Sequence, residues 1–308
     1  MEPGKPLLVV VTGPTASGKT GLALRLAETF HCDIISADSR QIYRDIPIGT
    51  AAPTAEDLSR ARHHFVGTLS LDTQYSAASF ESDTLALLES LAPEPNHVAA
   101  IMCGGSMMYV DAVVNGIDEM PAISDAVRER VLSFYHEQGL EALLAWLEII
   151  DPDMHDIVDR QNPKRVIHAV EITLEAGVPA SSLRTGKTKT RPFDTLKLCI
   201  DMPREILFGR INSRVETMMA SGMLEEARAV YPQRQLNSLN TVGYKELFAY
   251  FDGAMDLDTA VARIAKNTRV YAKKQLTWLA KDPSVHRLNA DSAYEQAIAL
   301  IQQKLHTP

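Results

Sequence analysis

The sequence predicts an α/β protein in which helices flank a parallel sheet and a helical domain is inserted into the chain. Short apolar runs alternate with longer amphipathic stretches, which is typical of parallel strands joined by crossover helices. The first apolar run, 7–11, leads directly into a glycine-containing loop and a helix. The region 119–194 departs from this alternation, because it is mainly helical and ends in a polar stretch.

Each predicted strand is a short apolar run, and each predicted helix repeats apolar residues every three or four positions. The predicted strands span 7–11, 33–37, 98–102, 196–200 and 285–288. The predicted helices span 21–30, 126–138, 140–150, 163–176, 203–220, 223–230, 244–251 and 257–280. We assign residues 1–118 and 195–308 to a core built on the sheet, and residues 119–194 to a helical insertion domain.

The composition is that of an ordinary globular protein. Of the 308 residues, 45% are hydrophobic and 23% are charged, and no apolar run approaches the ~18 residues of a membrane helix. The N-terminus lacks the longer apolar region of a signal peptide, so we expect a cytoplasmic protein. Cys32, Cys103 and Cys199 have no metal-ligand spacing, which predicts reduced thiols. The net charge of −8 disfavours nucleic acid unless basic residues cluster.

Residues 13–20, GPTASGKT, form a complete phosphate-binding loop between a predicted strand and a predicted helix. This context favours a sheet of the P-loop NTPase type. The backbone N–H groups of the loop would hold a phosphate chain, Lys19 would reach its outer phosphate, and Thr20 would hold Mg²⁺. The loop consists of Gly13, Pro14, Thr15, Ala16, Ser17, Gly18, Lys19 and Thr20.

The carboxylate that hydrolysing NTPases place at a strand end is not evident here. The strand 98–102 runs into two glycines, and Asp201 is followed directly by Met-Pro and a helix. Asp38, just after the strand 33–37, is the best-placed acid near the loop. An acid at that point can take a proton from an incoming nucleophile, as expected if the loop holds a reactant.

Longer stretches of the chain resemble the tRNA dimethylallyltransferases, also called isopentenyl-tRNA or IPP transferases. The matching blocks follow the order of the family and span nearly the whole chain. They are GPTASGKT (13–20), DSRQIYRDIPIGTAAP (38–53), a Gly-Gly-Ser-x-x-Tyr turn (104–109), PREILFGRINSRVETMMASGMLEEA (203–227), VGYKEL (242–247) and TRVYAKKQLTW (268–278). The resemblance implies transfer of a dimethylallyl group from dimethylallyl diphosphate to N6 of adenosine 37 in tRNA. The loop would then grip a departing diphosphate, and no ATP would be consumed.

The resemblance implies catalytic roles for three side chains. Asp38 would be the base for the N6 amine, Arg214 would stabilise the diphosphate, and Ser106 would hydrogen-bond at the reaction centre, where the family usually has threonine. Arg210, four residues before Arg214, is a further diphosphate candidate. Each has a structural alternative: a helix N-cap for Asp38, a turn-stabilising hydroxyl for Ser106 and solvent-facing charges for the arginines.

The resemblance also implies that tRNA contacts both domains, with the insertion domain gripping the anticodon arm and adenosine 37 flipped out of its stack. A basic stripe on the helix 257–280 fits such a surface. The implied tRNA contacts are Asp38, Ser39, Arg40, Gln41, Arg128, Lys164, Arg165, His168, Gly243, Tyr244, Lys245, Arg269, Lys273 and Lys274. His168 stands where the family often has arginine, and Trp278 either stacks on a base or packs in the core. We expect a monomer with Mg²⁺ as cofactor.

Three other functions stay open on the sequence. A small-molecule or nucleotide kinase would share the phosphate loop and the arginines but would not need the basic helix. An adenylate prenyltransferase would use the same chemistry on AMP. A P-loop regulator would bind tRNA without catalysis.

Overall fold

A parallel sheet forms the centre of the protein within residues 4–306, which the computed structural model describes. The strands are β1 (Leu7–Thr12), β2 (Asp33–Ser36), β3 (His63–His64), β4 (Val98–Gly104), β5 (Asp194–Asp201) and β6 (Val285–Asn289). Their order across the sheet is β3-β2-β4-β1-β5-β6, and each neighbouring pair is parallel. The predicted fold class, a parallel sheet of the P-loop type flanked by helices, is confirmed.

The helices alternate with the strands and include every predicted helix. They are α1 (Lys19–Phe30), α2 (Pro47–Thr50), α3 (Ala55–Arg60), α4 (Ala77–Ser90), α5 (Met107–Asn115), α6 (Asp125–Ile150), α7 (Pro152–Ile157), α8 (Pro163–Ala176), α9 (Ala180–Leu183), α10 (Arg204–Ala220), α11 (Met223–Val230), α12 (Tyr244–Phe251), α13 (Leu257–Leu279) and α14 (Ala293–His306). The longer helices α4, α5 and α14 are additional to the prediction. Short 3₁₀ turns lie at Tyr231–Gln233, Asn237–Leu239 and Ala290–Ser292. Among the described residues, no helix combines the length and apolarity that a membrane span requires.

The backbone divides into two compact units. The first comprises Met1–Val114 and Thr190–Pro308, and the second is Asn115–Lys189. The second unit begins and ends slightly earlier than the predicted insertion, 119–194. Its end is set by Arg191, whose guanidinium bonds Glu81 of the first unit at 2.6 Å and is held there before β5 begins.

The core of the first unit covers both faces of the sheet. Along β1, Leu7, Val9 and Val11 pack on one face, where α1 and α14 contribute the other side chains. Leu8 and Val10 point to the opposite face, towards residues of α4 and α5. Side chains alternate between the faces of a strand, so a continuous apolar run identifies a strand that is buried on both.

The second unit is helical and has its own core. Val131 and Leu143 of α6 pack there with Val166 and Val170 of α8. The long helix α6 contains a break at Gly139, where φ is 80° and ψ is −178°. Only glycine adopts this backbone conformation without strain. The two predicted helices, 126–138 and 140–150, therefore meet at the residue that separates them.

Candidate active site

A cavity of about 360 Å³ lies at the carboxyl ends of β1, β2 and β4, under α10 and α13. All three predicted catalytic residues, Asp38, Ser106 and Arg214, line it. The predicted site residues in its wall are Thr15, Lys19, Thr20, Asp38, Ser39, Arg40, Gln41, Ser106, Arg214 and Lys245. Residues separated by up to 230 positions in the chain thus share one enclosed space.

The phosphate loop has the backbone that its glycines predict. Gly18 has φ 93° and caps the N-terminus of α1, so the positive end of that helix faces the loop. The loop's lysine folds back, and Nζ of Lys19 donates a hydrogen bond to the carbonyl of Pro14 at 3.2 Å. This arrangement provides backbone donors and a cation for an anionic ligand.

Two half-buried cations, Lys19 and Arg214, give the cavity its electrostatic character. Burial lowers the pKa of Lys19 below its usual value, and repulsion from Arg214 acts in the same direction. Burial also lowers the pKa of Arg214, while Asp38 opposes both shifts. Positive charge held in partial burial is stabilised by an anion, so the cavity is prepared for one.

Arg210 lies at the edge of the phosphate loop rather than inside the cavity. A Cβ atom added to Gly18 would be 3.7 Å from Nη1 of Arg210. Arg210 as a whole is exposed. The one-turn spacing from Arg214 therefore brings both arginines to the same side of α10.

The carboxylate of Asp38 shapes the turn that follows β2. Its Oδ1 accepts hydrogen bonds from the backbone N of Arg40 at 2.9 Å and of Gln41 at 3.4 Å. Asp38 thus caps its own turn and at the same time lines the cavity. The structural alternative and the catalytic hypothesis for this residue are compatible.

Ser106 connects the ends of β4 and β2. Its Oγ accepts a hydrogen bond from the backbone N of Ser39 at 2.8 Å and donates one to Oγ of Ser39 at 3.2 Å. Gly104, two residues before Ser106, permits this approach, since a Cβ on Gly104 would lie 2.1 Å from the carbonyl oxygen of Ala37. The hydroxyl is therefore held next to Asp38 by a close backbone contact.

The amide of Gln41 is occupied by the loop that covers one side of the cavity. Nε2 donates to the carbonyls of Thr50 at 3.2 Å and Ala51 at 3.0 Å. Oε1 accepts from the hydroxyl of Ser36 at 3.1 Å. Gln41 lines the cavity, but its polar atoms hold the loop in place.

Tyr244 is placed in the core, which argues against its predicted contact with tRNA. The side chain is fully buried, and its hydroxyl donates to Oε1 of Glu226 at 2.5 Å. The same carboxylate accepts from the backbone N of Ile48 and of Gly49, both at 2.8 Å. Tyr244 therefore secures the loop around α2 and presents no side-chain surface to a ligand.

Gly243 and Lys245, the neighbours of Tyr244 in that predicted contact with tRNA, are placed differently. Gly243 is the N-cap of α12, and its backbone N donates to Oε2 of Glu246 at 2.7 Å. Lys245 lines the cavity. The structure therefore leaves Lys245 as the member of the group whose side chain can meet a substrate.

Helix α13 carries the predicted basic surface. Lys273 and Lys274 are exposed, and Nη1 of Arg269 donates to Oδ1 of Asn212 at 2.5 Å. Trp278 packs partly against the core, as its structural alternative predicts, and it also lines a shallow groove with the two lysines. Its stacking on a base stays a prediction. The exposed side of α13 is thus a basic surface with an aromatic ring at its end.

The predicted contacts of the second unit lie on α6 and α8. Lys164 and Arg165 are exposed. The buried carboxylate of Glu171 lies 4.0 Å from Nε of Arg128 and 3.5 Å from Nδ1 of His168. One acid therefore holds two of the predicted RNA contacts close together.

Sequence reasoning missed several residues of α13 that line the cavity. Ile264, Thr268, Tyr271 and Gln275 all face it. Their spacings of three and four residues were a sufficient signal, because they mark one face of a helix.

An apolar wall completes the cavity on the side of α10. Ile211, Val215 and Met218 recur there at helical spacing, and Ile264 of α13 faces the same space. This wall lies beside the cations on the same helix. The cavity can therefore hold a ligand that joins an anionic group to a short hydrocarbon.

Comparison with known proteins agrees with this arrangement. A family model described as IPP transferase matches residues 41–282. The tRNA dimethylallyltransferase 1 of Phocaeicola vulgatus is 49% identical, covering 97% of this chain and 98% of its own length. The tRNA dimethylallyltransferase 2 of Parabacteroides distasonis is 50% identical, covering 96% and 98%. A crystal structure of a tRNA isopentenylpyrophosphate transferase from Bacillus halodurans is 30% identical and covers 98% of this chain and 97% of its own, with a TM-score of 0.71. With its phosphate loop and cationic cavity, the chain belongs to the IPP transferase family.

Proposed function

We propose that this protein transfers the dimethylallyl group of dimethylallyl diphosphate to N6 of adenosine 37 in tRNA and releases diphosphate. The observation that carries the proposal is the joining of three features in one cavity: the phosphate loop, the half-buried cations Lys19 and Arg214, and the carboxylate of Asp38. The names of the relatives, which are tRNA dimethylallyltransferases, support the same reaction. Their coverage of nearly the whole chain supports applying it to the whole protein.

The diphosphate of the donor would lie in the phosphate loop. The backbone N–H groups of the loop, Lys19 and Arg214 would stabilise the charge that grows on the leaving group. The apolar wall of α10 suits the five-carbon chain, because it offers aliphatic contacts where a nucleotide would need polar ones. No nucleoside triphosphate takes part in this scheme.

Bond making and bond breaking would occur between the loop and Asp38. The allylic C–O bond breaks with its electron pair moving to the diphosphate, and the carbon forms a new bond to N6. The amine of adenine is a weak nucleophile because its lone pair is delocalised into the ring. Asp38 would accept the N6 proton, while Ser106 would fix the acceptor's position through its contacts with Ser39.

The residues present fit a Mg²⁺ ion bound mainly by substrate. The described residues contain no group of three His, Cys, Asp or Glu side chains able to bind a metal on their own. Thr20 lines the cavity at the start of α1. An ion there would be held by the Thr20 hydroxyl, diphosphate oxygens and water, a set that Mg²⁺ favours. When bound, it would help to neutralise the diphosphate.

The acceptor would be recognised from both units. In the first unit, Ser39, Arg40 and Lys245 border the cavity, and α13 exposes Lys273 and Lys274. In the second unit, Lys164, Arg165, Arg128 and His168 would grip the anticodon arm. A basic surface confined to these segments is compatible with a net charge of −8. The cavity is complete within one chain, which supports action as a monomer.

Mass spectrometry of an anticodon stem-loop tests the proposal. The protein is incubated with dimethylallyl diphosphate, Mg²⁺ and a stem-loop with adenosine at position 37; we expect a five-carbon mass increment on that base. A stem-loop with guanosine at position 37 serves as the matched control and should gain nothing. Modification of AMP in preference to the stem-loop would select the adenylate prenyltransferase, and phosphate transfer from ATP would select a kinase.

A further inference from the structure

Gln275 is the polar side chain on the buried face of α13. It is only 2% exposed, whereas Lys273 and Lys274 next to it point outwards. Its neighbours on the buried face, Ala272 and Leu279, are apolar. A leucine would satisfy packing at this position, so the presence of an amide needs another explanation.

The amide of Gln275 bridges the two loops that form the reaction site. Oε1 accepts a hydrogen bond from the backbone N of Thr15 in the phosphate loop at 3.0 Å. Nε2 donates to the carbonyl of Gly105 in the turn that carries Ser106, at 2.8 Å. A Cβ added to Gly105 would lie 2.3 Å from Nε2, so the turn is shaped around the glutamine.

We propose that Gln275 is a positioning residue that fixes the phosphate loop against the acceptor turn. The inference rests on the proposed function, because the loop would hold the donor and the turn would hold the acceptor. Each loop has its own contacts with its ligand, so loss of the bridge would spare binding. It would instead relax the distance and angle between the donor carbon and N6. A misplacement of about 1 Å can slow such a reaction by ~10²-fold.

Gln275→Met separates positioning from binding. Methionine has a similar length and no amide, so it keeps the packing and removes both hydrogen bonds. We expect the single-turnover rate to fall by roughly 10- to 100-fold. The dissociation constants of inorganic pyrophosphate and of the stem-loop, measured separately by calorimetry, should change by less than about threefold.

Gln296→Met is the matched control. Gln296 also bridges two polar groups, accepting from the backbone N of Asn289 at 3.2 Å and donating to Oγ of Ser292 at 2.6 Å. It lies on α14 and does not line the cavity. Replacing Gln296 should leave the single-turnover rate unchanged, so equal slowing of the reaction in both variants would count against a specific role for Gln275.

Gln275→Glu gives a signature that a purely structural residue would not give. An ionised glutamate can accept from Thr15 but cannot donate to Gly105, whereas a protonated one can do both. Burial and the carboxylate of Asp38 favour the protonated form, whereas the cations Lys19 and Arg214 in the same cavity favour the ionised form. The rate of this variant relative to the natural protein should therefore rise at least threefold as the pH falls from about 8 to about 6. This pH profile tests the positioning role of Gln275 even if the methionine variant fails to fold.

The results distinguish this inference from the proposed function. A Gln275→Met protein that reacts as fast as the Gln296→Met protein would overturn the inference alone. So would a loss confined to the dissociation constants, or a flat relative pH profile for Gln275→Glu. If the natural protein itself forms no prenylated RNA, the proposed function fails, and the positioning role fails with it.

Discussion

At the scale of single residues, Asp38 combines two tasks. Its Oδ1 caps the turn after β2, and the carboxylate borders the cavity. The sequence was enough to predict that Asp38, Ser106 and Arg214 belong to one site, because the matching blocks carry them. It was not enough to show that Tyr244 is buried, since a tyrosine in a matching block can serve either the core or a ligand.

Asparagine at position 38 tests the base without disturbing the turn. Asp38→Asn keeps an oxygen for the backbone N of Arg40 and loses the basicity, so turnover should fall by roughly 10²- to 10⁴-fold. Single-turnover product formation measures the loss of basicity, and thermal melting measures whether the turn is kept. Melting should be almost unchanged, whereas Asp38→Ala should also lose the cap, at a cost of about 1 kcal/mol. Full turnover by Asp38→Asn would exclude Asp38 as the base.

The charge of Lys19 should lower the free energy of unfolding of the ligand-free protein while it strengthens the binding of diphosphate. Because burial lowers its pKa, the unfolded chain binds this proton more tightly than the folded protein does. The charge thus costs stability at pH values below the lowered pKa, and stability recovers as the pH rises towards the ordinary value. Lys19→Met should therefore raise the free energy of unfolding without ligand near pH 7, by an amount that shrinks near pH 10.

Urea denaturation without and with pyrophosphate measures the free energy of unfolding and how much the ligand raises it. Pyrophosphate should stabilise the natural protein much more than Lys19→Met. The Lys19 assignment is untenable if the variant gains the same stabilisation from pyrophosphate. A variant that is less stable than the natural protein at pH 7 would contradict the electrostatic argument.

At the scale of elements, the ends of the strands bring the residues of the site together. A strand or helix could be predicted from the sequence only where its own residues carry a clear apolar pattern. β1 was predictable because its apolar run precedes the glycine loop. β3 consists of His63 and His64 and has no apolar run, so only its pairing with β2 defines it. Helix α4 was missed as well: its buried Glu81 is tolerated because Arg191, 110 residues away, pairs with it. Long-range partners of this kind leave no local pattern.

The glycine turn after β4 should tolerate no side chain. Gly104→Ala would place a Cβ 2.1 Å from the carbonyl oxygen of Ala37, which forces β2 and β4 apart. We expect a loss of about 1–3 kcal/mol in the free energy of unfolding. Gly209→Ala is the matched control, because a Cβ there meets nothing within 4 Å on helix α10. Alanine at that position should add about 0.5–1 kcal/mol, and a comparable gain at position 104 would refute the close contact.

At the scale of the whole molecule, an acidic protein is proposed to bind a polyanion. The net charge is −8, yet α13 exposes a cluster of cations beside the cavity. Composition alone pointed away from nucleic acid, and only the positions of the cations reversed that conclusion. Recognition of RNA then depends on local charge, and it should weaken in proportion to each cation removed.

Lys273→Ala should weaken binding of the stem-loop and reduce its salt dependence. Loss of one phosphate contact lowers the slope of log K against log salt by roughly 0.7–0.9. Filter binding or fluorescence anisotropy across a salt series measures that slope. Lys304→Ala, an exposed lysine in the last turn of α14, should leave it unchanged. An identical slope for both variants would remove Lys273 from the interface.

The most direct test of the whole account is the stoichiometry of the reaction. Pyrophosphate release and prenylated RNA are quantified together in a reaction that contains Mg²⁺, dimethylallyl diphosphate and the stem-loop, with ATP also present. The account predicts equal amounts of pyrophosphate and modified adenosine, no consumption of ATP, and formation of both products slowed roughly 10²- to 10⁴-fold with Asp38→Asn. Consumption of ATP without a five-carbon group on the RNA would contradict it.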